Sequence, residues 1–177
     1  MSTKPAIREQ VRQRAQLACE FSDIAEADVG SQLTIDHFQP RAKGGDDSLD
    51  HLVYCCAACN QYKHDYWPSF PDTPSLWNPR NEPAEQHFLE LDDGMLYPLS
   101  ATGAFTLTRL RLNRPPLVAY RVRRRQIREE VRLLTRYRDL SRLIAQLLVQ
   151  QSALIEEQRD LLEEQRSLLG LLLGRET

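Results

Sequence analysis

The sequence predicts an α+β fold in which a core of two strands and a helix is followed by a long helical coiled coil. Two observations predict it. Residues 33–64 hold two short apolar runs separated by a glycine-rich loop, with a helical segment after them. From Leu117 to Leu169 the chain has neither proline nor glycine. At 177 residues it has room for one domain and an appendage. We expect them at residues 1–116 and 117–177.

The segment 33–64 predicts a strand, a loop, a strand and a helix in that order. The strands are the β-branched run 33–35 and the apolar run 52–54. Between them, Pro40 and the pair Gly44-Gly45 favour an irregular loop. The helix follows the second strand and ends near residue 64.

The flanking segments predict one further helix and one β-hairpin. Residues 4–18 place Ile7, Val11, Ala15 and Ala18 on one helical face. Residues 68–83 contain five prolines, so they predict an irregular segment that packs on the domain through its aromatic side chains. The runs 87–91 and 95–99 predict paired strands. Residues 100–112 predict another turn at Gly103, and Pro115 suits the first turn of a long helix.

A seven-residue repeat of leucine predicts a coiled coil in the second region. The repeat consists of Leu133, Leu140, Leu147, Leu154, Leu161 and Leu168. A second apolar column lies one residue further along, at Leu134, Leu148, Ile155, Leu162 and Leu169. The column that would complete the seam is Tyr137, Ile144, Gln151, Gln158 and Gln165, so its distal layers are polar. The partner is another copy of the chain, a different protein, or the same helix folded back. We favour a homo-oligomer.

The residue types in segment 33–64 suit phosphodiester hydrolysis. This reaction needs a base for water, a cation that stabilises charge on phosphate, and precise positioning. His37 is suited to the first task, because imidazole titrates near neutral pH. Asp36, Asn60 and His64 are suited to hold Mg²⁺ or a related ion such as Mn²⁺ or Ni²⁺, with Asn60 and His64 sharing a helical face. Lys63 would bind a phosphate. An Asp-His pair alone is more often a solvated turn.

The ordered set of these residues resembles the HNH endonuclease family. The pattern D-H-x-x-P, G-G and C-x-x-C-N-x-x-K is met by Asp36, His37, Pro40, Gly44, Gly45, Cys56, Cys59, Asn60 and Lys63. The resemblance covers roughly residues 5–120 and implies a ββα-metal HNH nuclease core. It implies that His37 is the general base and that Asp36 and Asn60 bind the catalytic ion. His51 stands where the family usually has an asparagine that braces the loop and the base, so we include it among the catalytic residues.

The same resemblance raises a structural zinc site. Family members often hold zinc with two C-x-x-C pairs. Here Cys56 and Cys59 form one pair, and Cys19 with Ser22 stands for the other, so Cys19, Cys56 and Cys59 supply three thiolates. Asp23 or a water would complete the tetrahedron. The alternative is that these thiols stay reduced and pack in the core.

The charge distribution predicts where nucleic acid binds. The span from Arg109 to Arg142 holds twelve arginines against three acidic residues. Its predicted phosphate contacts are Arg121, Arg124 and Arg125. Further contacts near the site would be Arg41, Lys43 and Arg80. Duplex DNA is what the resemblance implies, with RNA left open. The alternative is an arginine-rich helix face screened by its own acids.

The sequence thus predicts a metal-dependent endonuclease acting on DNA, with defence against foreign DNA as a setting suggested by family analogy. The rival is a non-catalytic assembly protein that binds nucleic acid and recruits a partner through the coiled coil. The chain has no apolar run of membrane-spanning length, and its first ten residues lack the apolar core of a signal peptide. We therefore expect a cytoplasmic protein with no membrane partner.

Overall fold

A computed structural model describes residues 5–70 and 72–174 of the chain. The start of the predicted first helix at Lys4, and Pro71 in the irregular segment, lie outside these ranges. The elements in chain order are α1 (Pro5–Arg14), α2 (Glu26–Val29), β1 (Thr34–His37), a 3-10 turn (Arg41–Lys43), β2 (Leu52–Cys55), α3 (Ala57–Lys63), a second 3-10 turn (Ala84–Gln86), β3 (Phe88–Glu90), β4 (Leu96–Pro98), α4 (Ala101–Arg109) and α5 (Pro115–Leu172). The α+β prediction is confirmed.

Strands β1 and β2 form an antiparallel pair in which His37 lies opposite Leu52. All four residues of β2 are buried, which fixes the register of the pair. The main-chain N–H of Phe38 donates to His51 O at 2.7 Å and extends the pairing into the loop. Gly45 is required there, because a Cβ at this position would lie 1.8 Å from the carbonyl oxygen of Gln39. The predicted strand, loop, strand and helix are all present.

Helix α1 is shorter than the amphipathic pattern predicted. It ends at Arg14, and the backbone then passes through positive φ at Gln16 and Leu17. Ala18, predicted on the helical face, instead forms a β-bridge with Ala25. The early end of the helix brings Cys19 into the buried core.

The predicted turn at Gly103 is wrong, because this glycine lies inside helix α4. Ser100 caps the helix by accepting a hydrogen bond from the N–H of Gly103 at 2.9 Å. A Cβ at Gly103 would lie 2.3 Å from the carbonyl oxygen of His87. The glycine therefore allows α4 to pack closely on the chain before β3. The hairpin of β3 and β4 was predicted correctly.

The proline-rich segment packs on the domain through Trp77. The backbone N–H of Trp77 donates to Thr106 Oγ1 of helix α4 at 2.7 Å. The indole N–H of Trp77 donates to Glu82 O, within the same segment, at 2.9 Å. Leu76 is also buried, whereas Phe70, expected to pack, is 75% exposed.

Helix α5 starts at Pro115, as predicted, and runs unbroken to Leu172. Internal contacts divide the chain into two units, Met1–Arg125 and Gln126–Thr177. Arg121, which follows the expected boundary at 116–117, donates to main-chain oxygens of the first unit. Among the described residues, no helix combines the length and apolar character that crossing a membrane needs.

Candidate active site

An open cleft of about 530 Å³ lies between the end of β1 and helix α3. Asp36, His37, Asn60 and His64 all line it, together with Arg41 from the loop. The antiparallel pairing of β1 with β2, followed directly by α3, brings the end of β1 beside the helix. Residues far apart in the sequence thus share one cleft, as the sequence analysis expected.

His37 is held by a carboxylate that the sequence analysis missed. Its Nε2 lies 2.7 Å from Asp47 Oδ1, and Arg41 donates to Asp47 Oδ2 at 2.8 Å. The hydrogen bond with His37 is the main cause of a lowered pKa at Asp47. An ionised carboxylate only accepts hydrogen bonds, so His37 Nε2 donates to Asp47, and in the neutral ring the lone pair is on Nδ1. The one sequence signal was an acidic pair directly after the two glycines.

His51 occupies the loop beside this pair and does not contact the cleft. Its Nδ1 lies 2.7 Å from Asp46 Oδ1, and its main-chain oxygen accepts from Phe38. Hydrogen bonds from Ser48, and then from His51, lower the pKa of Asp46 to about 2. His51 thus contacts the residue next to Asp47 and is not among the described residues that line the cleft. It braces the loop and makes no direct contact with His37.

Lys63 is placed differently from the prediction. Its side chain is fully buried, and its Nζ lies 2.7 Å from Asp36 Oδ2 and donates to His37 O at 2.7 Å. A buried ammonium that is paired in this way does not reach a phosphate in solvent. We therefore correct the predicted phosphate contact: Lys63 fixes the last two residues of β1 to helix α3.

His64 ends helix α3 instead of extending its face. Its backbone has φ 53° and ψ −140°, which is outside the helical region. The ring is 73% exposed and pairs with Asp65, whose pKa is lowered mainly by that hydrogen bond. His64 still lines the cleft with Asn60, but from the turn after the helix.

A second cluster consists of the three predicted cysteines. The sulfur atoms of Cys19, Cys56 and Cys59 lie within 4.8 Å of one another, and all three residues are buried. Ser22 Oγ lies 3.9 Å from Cys56 Sγ, at the edge of the cluster. Asp23, considered as a fourth ligand, pairs with Arg124 instead.

Arg114 supplies positive charge to this cluster. Its guanidinium donates to the sulfur atoms of Cys56 and Cys59 at 3.6 Å each. Hydrogen bonds from the thiols of Cys19 and Cys59 lower the pKa of Cys56, whereas burial raises the pKa of Cys19. The Arg114 guanidinium stabilises negative charge on the sulfur atoms that it contacts. Cys55 is separate, with its sulfur 3.8 Å from Thr34 Oγ1.

Comparison with known families decides the identity of this region. The model of the HNH endonuclease family matches residues 18–66. The chain carries an HNH domain. The match is less than half of the chain, but it covers both the cleft and the cysteine cluster. Neither the comparison with curated proteins nor that with solved structures gave a match.

The HNH domain indicates nuclease-type hydrolysis, nucleic-acid binding and a divalent metal. The cleft fits such an ion, because a carboxylate, an amide oxygen and an imidazole are oxygen and nitrogen donors that hard or borderline divalent cations accept. The three buried sulfur atoms are a separate, softer donor set suited to zinc.

Most of the predicted nucleic-acid contacts are engaged within the HNH domain and its flanks. Arg121 is buried and donates to Gly94 O at 2.6 Å and to Leu112 O at 2.9 Å, so its predicted phosphate contact is corrected. Arg124 and Arg125 both pair with Glu90. Two further basic positions complete the set: Arg80 pairs with Glu20, and Lys43 is exposed on the 3-10 turn beside the cleft.

Proposed function

We propose that this protein is a metal-dependent endonuclease that hydrolyses phosphodiester bonds of DNA. The observation that carries the proposal is the shared cleft of His37, Asp36 and Asn60 within the HNH domain. Its open shape suits a polymer backbone better than an enclosed small molecule. A role in defence against foreign DNA rests on family analogy alone.

His37 acts as the general base. Because Asp47 holds the proton on Nε2, Nδ1 is the atom that accepts a proton from the attacking water. Asp47 also stabilises the imidazolium that forms, and Arg41 keeps that carboxylate in place. His51 supports it indirectly, by fixing the neighbouring Asp46.

Asp36, Asn60 and His64 are the side chains that would hold Mg²⁺, Mn²⁺ or Ni²⁺. Lys63 occupies Oδ2 of Asp36, so Oδ1 is the oxygen left for an ion. A bound ion supplies Lewis-acid stabilisation of charge on the phosphate and the leaving oxygen. Arg41 and Lys43, both exposed beside the cleft, are the proposed contacts to the nucleic-acid backbone.

The remaining features complete the proposal. Cys19, Cys56 and Cys59 hold a structural zinc, with Ser22 or a water at the fourth position. All four cysteines are free, which suits a cytoplasmic protein. The unit Gln126–Thr177 mediates self-association through its leucine repeat.

The activity is tested on supercoiled plasmid with purified full-length protein and Mg²⁺, Mn²⁺ or Ni²⁺. We expect nicking by the parent, and loss of at least about 10²-fold in rate for His37→Ala. Asn60→Ala should lose activity, whereas the matched control Asn81→Ala, at an exposed position, should keep it. Single-stranded DNA and RNA substrates run in parallel identify the preferred polymer.

Inactivity with every ion, together with retained DNA binding and a folded circular dichroism spectrum, would overturn the enzyme. That outcome supports the rival assembly protein. Equal nicking by the parent and His37→Ala would instead overturn the assigned base.

A further inference from the structure

The leucine stripe of α5 lies on the surface of the second unit. We define the stripe as Leu133, Leu140, Leu147, Leu154, Leu161 and Leu168 with the adjacent column Leu134, Leu148, Ile155, Leu162 and Leu169. Its members are 49–63% exposed in the single chain. An apolar face of this length is costly in water, and its strict repeat suits another helix.

The charges on this unit differ between its two halves. Residues 126–145 hold five arginines against three acids, whereas residues 146–174 hold five acids against two arginines. The first half is therefore positive and the second negative. Within residues 5–70 and 72–174, no ion pair involves a side chain beyond Arg125. These charges are not neutralised inside the chain, so they remain available to a partner.

The direction of a second copy decides which charges meet. In a parallel pair each half lies beside the same half of the other copy, so halves of like net charge meet. In an antiparallel pair centred near Gln150, the middle of the stripe, the positive half lies beside the negative half. Arg136 then lies level with Glu164 of the partner copy, and both residues directly precede the column of Tyr137 and Gln165, so they flank the apolar seam. Opposite charges on facing helices set orientation in coiled coils.

The polar column favours the same direction. In a parallel pair Gln151, Gln158 and Gln165 would each face their own copies, which gives three polar layers with no apolar side chain. A single polar layer already lowers stability. In the antiparallel pair the heptad positions interchange, so each glutamine lies level with a leucine of the stripe. Every layer then contains at least one apolar side chain.

We infer that the leucine stripe binds a second copy of this chain in the antiparallel direction. The inference rests on the self-association in the proposed function and adds its orientation. The amino-terminal halves of the two stripes then lie at opposite ends of the pair. The basic half of each copy serves as the docking surface for the acidic half of the other.

The test measures distances between spin labels on the full-length protein. Thr135 and Ser167 are exposed and lie off the stripe, so each is changed singly to cysteine and labelled. An antiparallel pair puts two labels at 135 about 45 Å apart, at 1.5 Å per residue. A mixture of chains labelled at 135 and at 167 gives a short distance instead. The parent, whose four cysteines are buried, is treated with the label in parallel as the background control.

Light scattering on the same samples separates the possible failures. A monomeric mass would overturn self-association, and with it the inference. A dimeric mass with a short distance between two labels at 135 would overturn the antiparallel direction alone. Neither result depends on nicking of plasmid, which reports on the nuclease separately.

Charge reversal gives a second measurement that needs no label. Changing Arg136 to glutamate should weaken an antiparallel dimer about tenfold, because two acids then face each other at each end of the pair. Adding Glu164→Arg in the same chain should restore the dimer. No weakening by Arg136→Glu would overturn the inference.

Discussion

The ammonium of Lys63 lies 2.7 Å from a carboxylate oxygen of Asp36. The same nitrogen donates to the main-chain oxygen of His37 at 2.7 Å. One buried side chain of α3 therefore fixes both the proposed metal ligand and the proposed base. This lysine therefore ties the end of β1 to helix α3.

Replacing Lys63 by methionine should destabilise the protein by about 3 kcal/mol, because the change leaves the Asp36 carboxylate without its partner. Urea unfolding of the full chain measures the loss. The matched control is Lys43→Met, at an exposed lysine of the 3-10 turn, which should stay within about 0.5 kcal/mol of the parent. Equal stability of both variants would show that the buried pair contributes nothing net.

Replacing Asp47 by asparagine should lower kcat for plasmid cleavage by roughly 10²–10⁴-fold with little change in DNA affinity. An amide can donate to His37 Nε2, which favours the tautomer that has its proton on Nδ1. The control is Asp46→Asn, because this neighbour contacts Ser48 and His51 and not His37. A loss confined to DNA affinity, or an equal loss in both variants, would contradict the orienting role of Asp47.

The local order of elements could be predicted because its signals are local. Glycine and proline mark the loop between β1 and β2, and the buried strand β2 is an apolar run in the sequence. The partners of individual side chains could not be predicted in this way. Asp47 meets His37 through a loop whose path depends on Gly45, and the two residues are ten positions apart. The acidic pair after the two glycines was the one sequence signal for Asp47, and it does not by itself tell a site residue from a solvated acid.

Burial of charged residues explains why the predicted phosphate contacts of Lys63 and Arg121 were wrong. Lys63 and Arg121 look like surface cations in the sequence, yet one is fully buried and the other is 3% exposed. Their acceptors come from other elements, such as Asp36 on β1 and Gly94 in the β3–β4 turn. The helical position of Gly103 could not be predicted either, because the main-chain oxygen of His87 comes close to this glycine only in the folded chain.

Replacing Arg121 by methionine should cost about 3 kcal/mol of stability, because it leaves the buried oxygens of Gly94 and Leu112 without their donor. Nucleic-acid affinity of the folded protein should not change. The exposed neighbour Arg123 gives the control, since Arg123→Met should alter stability by no more than about 0.5 kcal/mol. A fall in DNA affinity for Arg121→Met, with unchanged stability, would restore the original prediction.

Glu26 should give the protein a stability that depends on acidic pH. Hydrogen bonds from Arg12, at 2.8 and 2.7 Å, and from Tyr54 lower its pKa from 4.5 to about 2. A carboxylate with a depressed pKa stabilises the fold fully above its unfolded pKa, and this contribution is lost as pH falls from 4.5 towards 2. Glu26→Gln should cost about 1–2 kcal/mol at pH 7.

The urea midpoint of the parent and of Glu26→Gln, followed between pH 7 and pH 2, measures this effect. The gap between the two proteins should narrow as pH falls through that window. Glu85→Gln, at an exposed glutamate, is the control and should follow the parent throughout. A constant gap at all pH values would mean that the charge of Glu26 is not what stabilises the contact.

Restoring a fourth cysteine at position 22 should tighten zinc binding at least about tenfold. Ser22 Oγ lies 3.9 Å from Cys56 Sγ, so a thiol at this position reaches the edge of the cluster with little movement. A thiolate is a stronger zinc ligand than a neutral hydroxyl, and tenfold corresponds to about 1.4 kcal/mol. Competition with a chromophoric chelator on the full chain measures the affinity of the parent and of Ser22→Cys.

Ser152→Cys adds a thiol on the exposed helix of the second unit and should leave zinc affinity unchanged, which controls for the extra thiol itself. Cys59→Ser should abolish binding, because it leaves two thiolates. The Arg114 guanidinium contacts the sulfur atoms of Cys56 and Cys59, and its positive charge favours the thiolates that bind zinc. Equal affinities for the parent and for Ser22→Cys would place the fourth ligand of the zinc somewhere other than position 22.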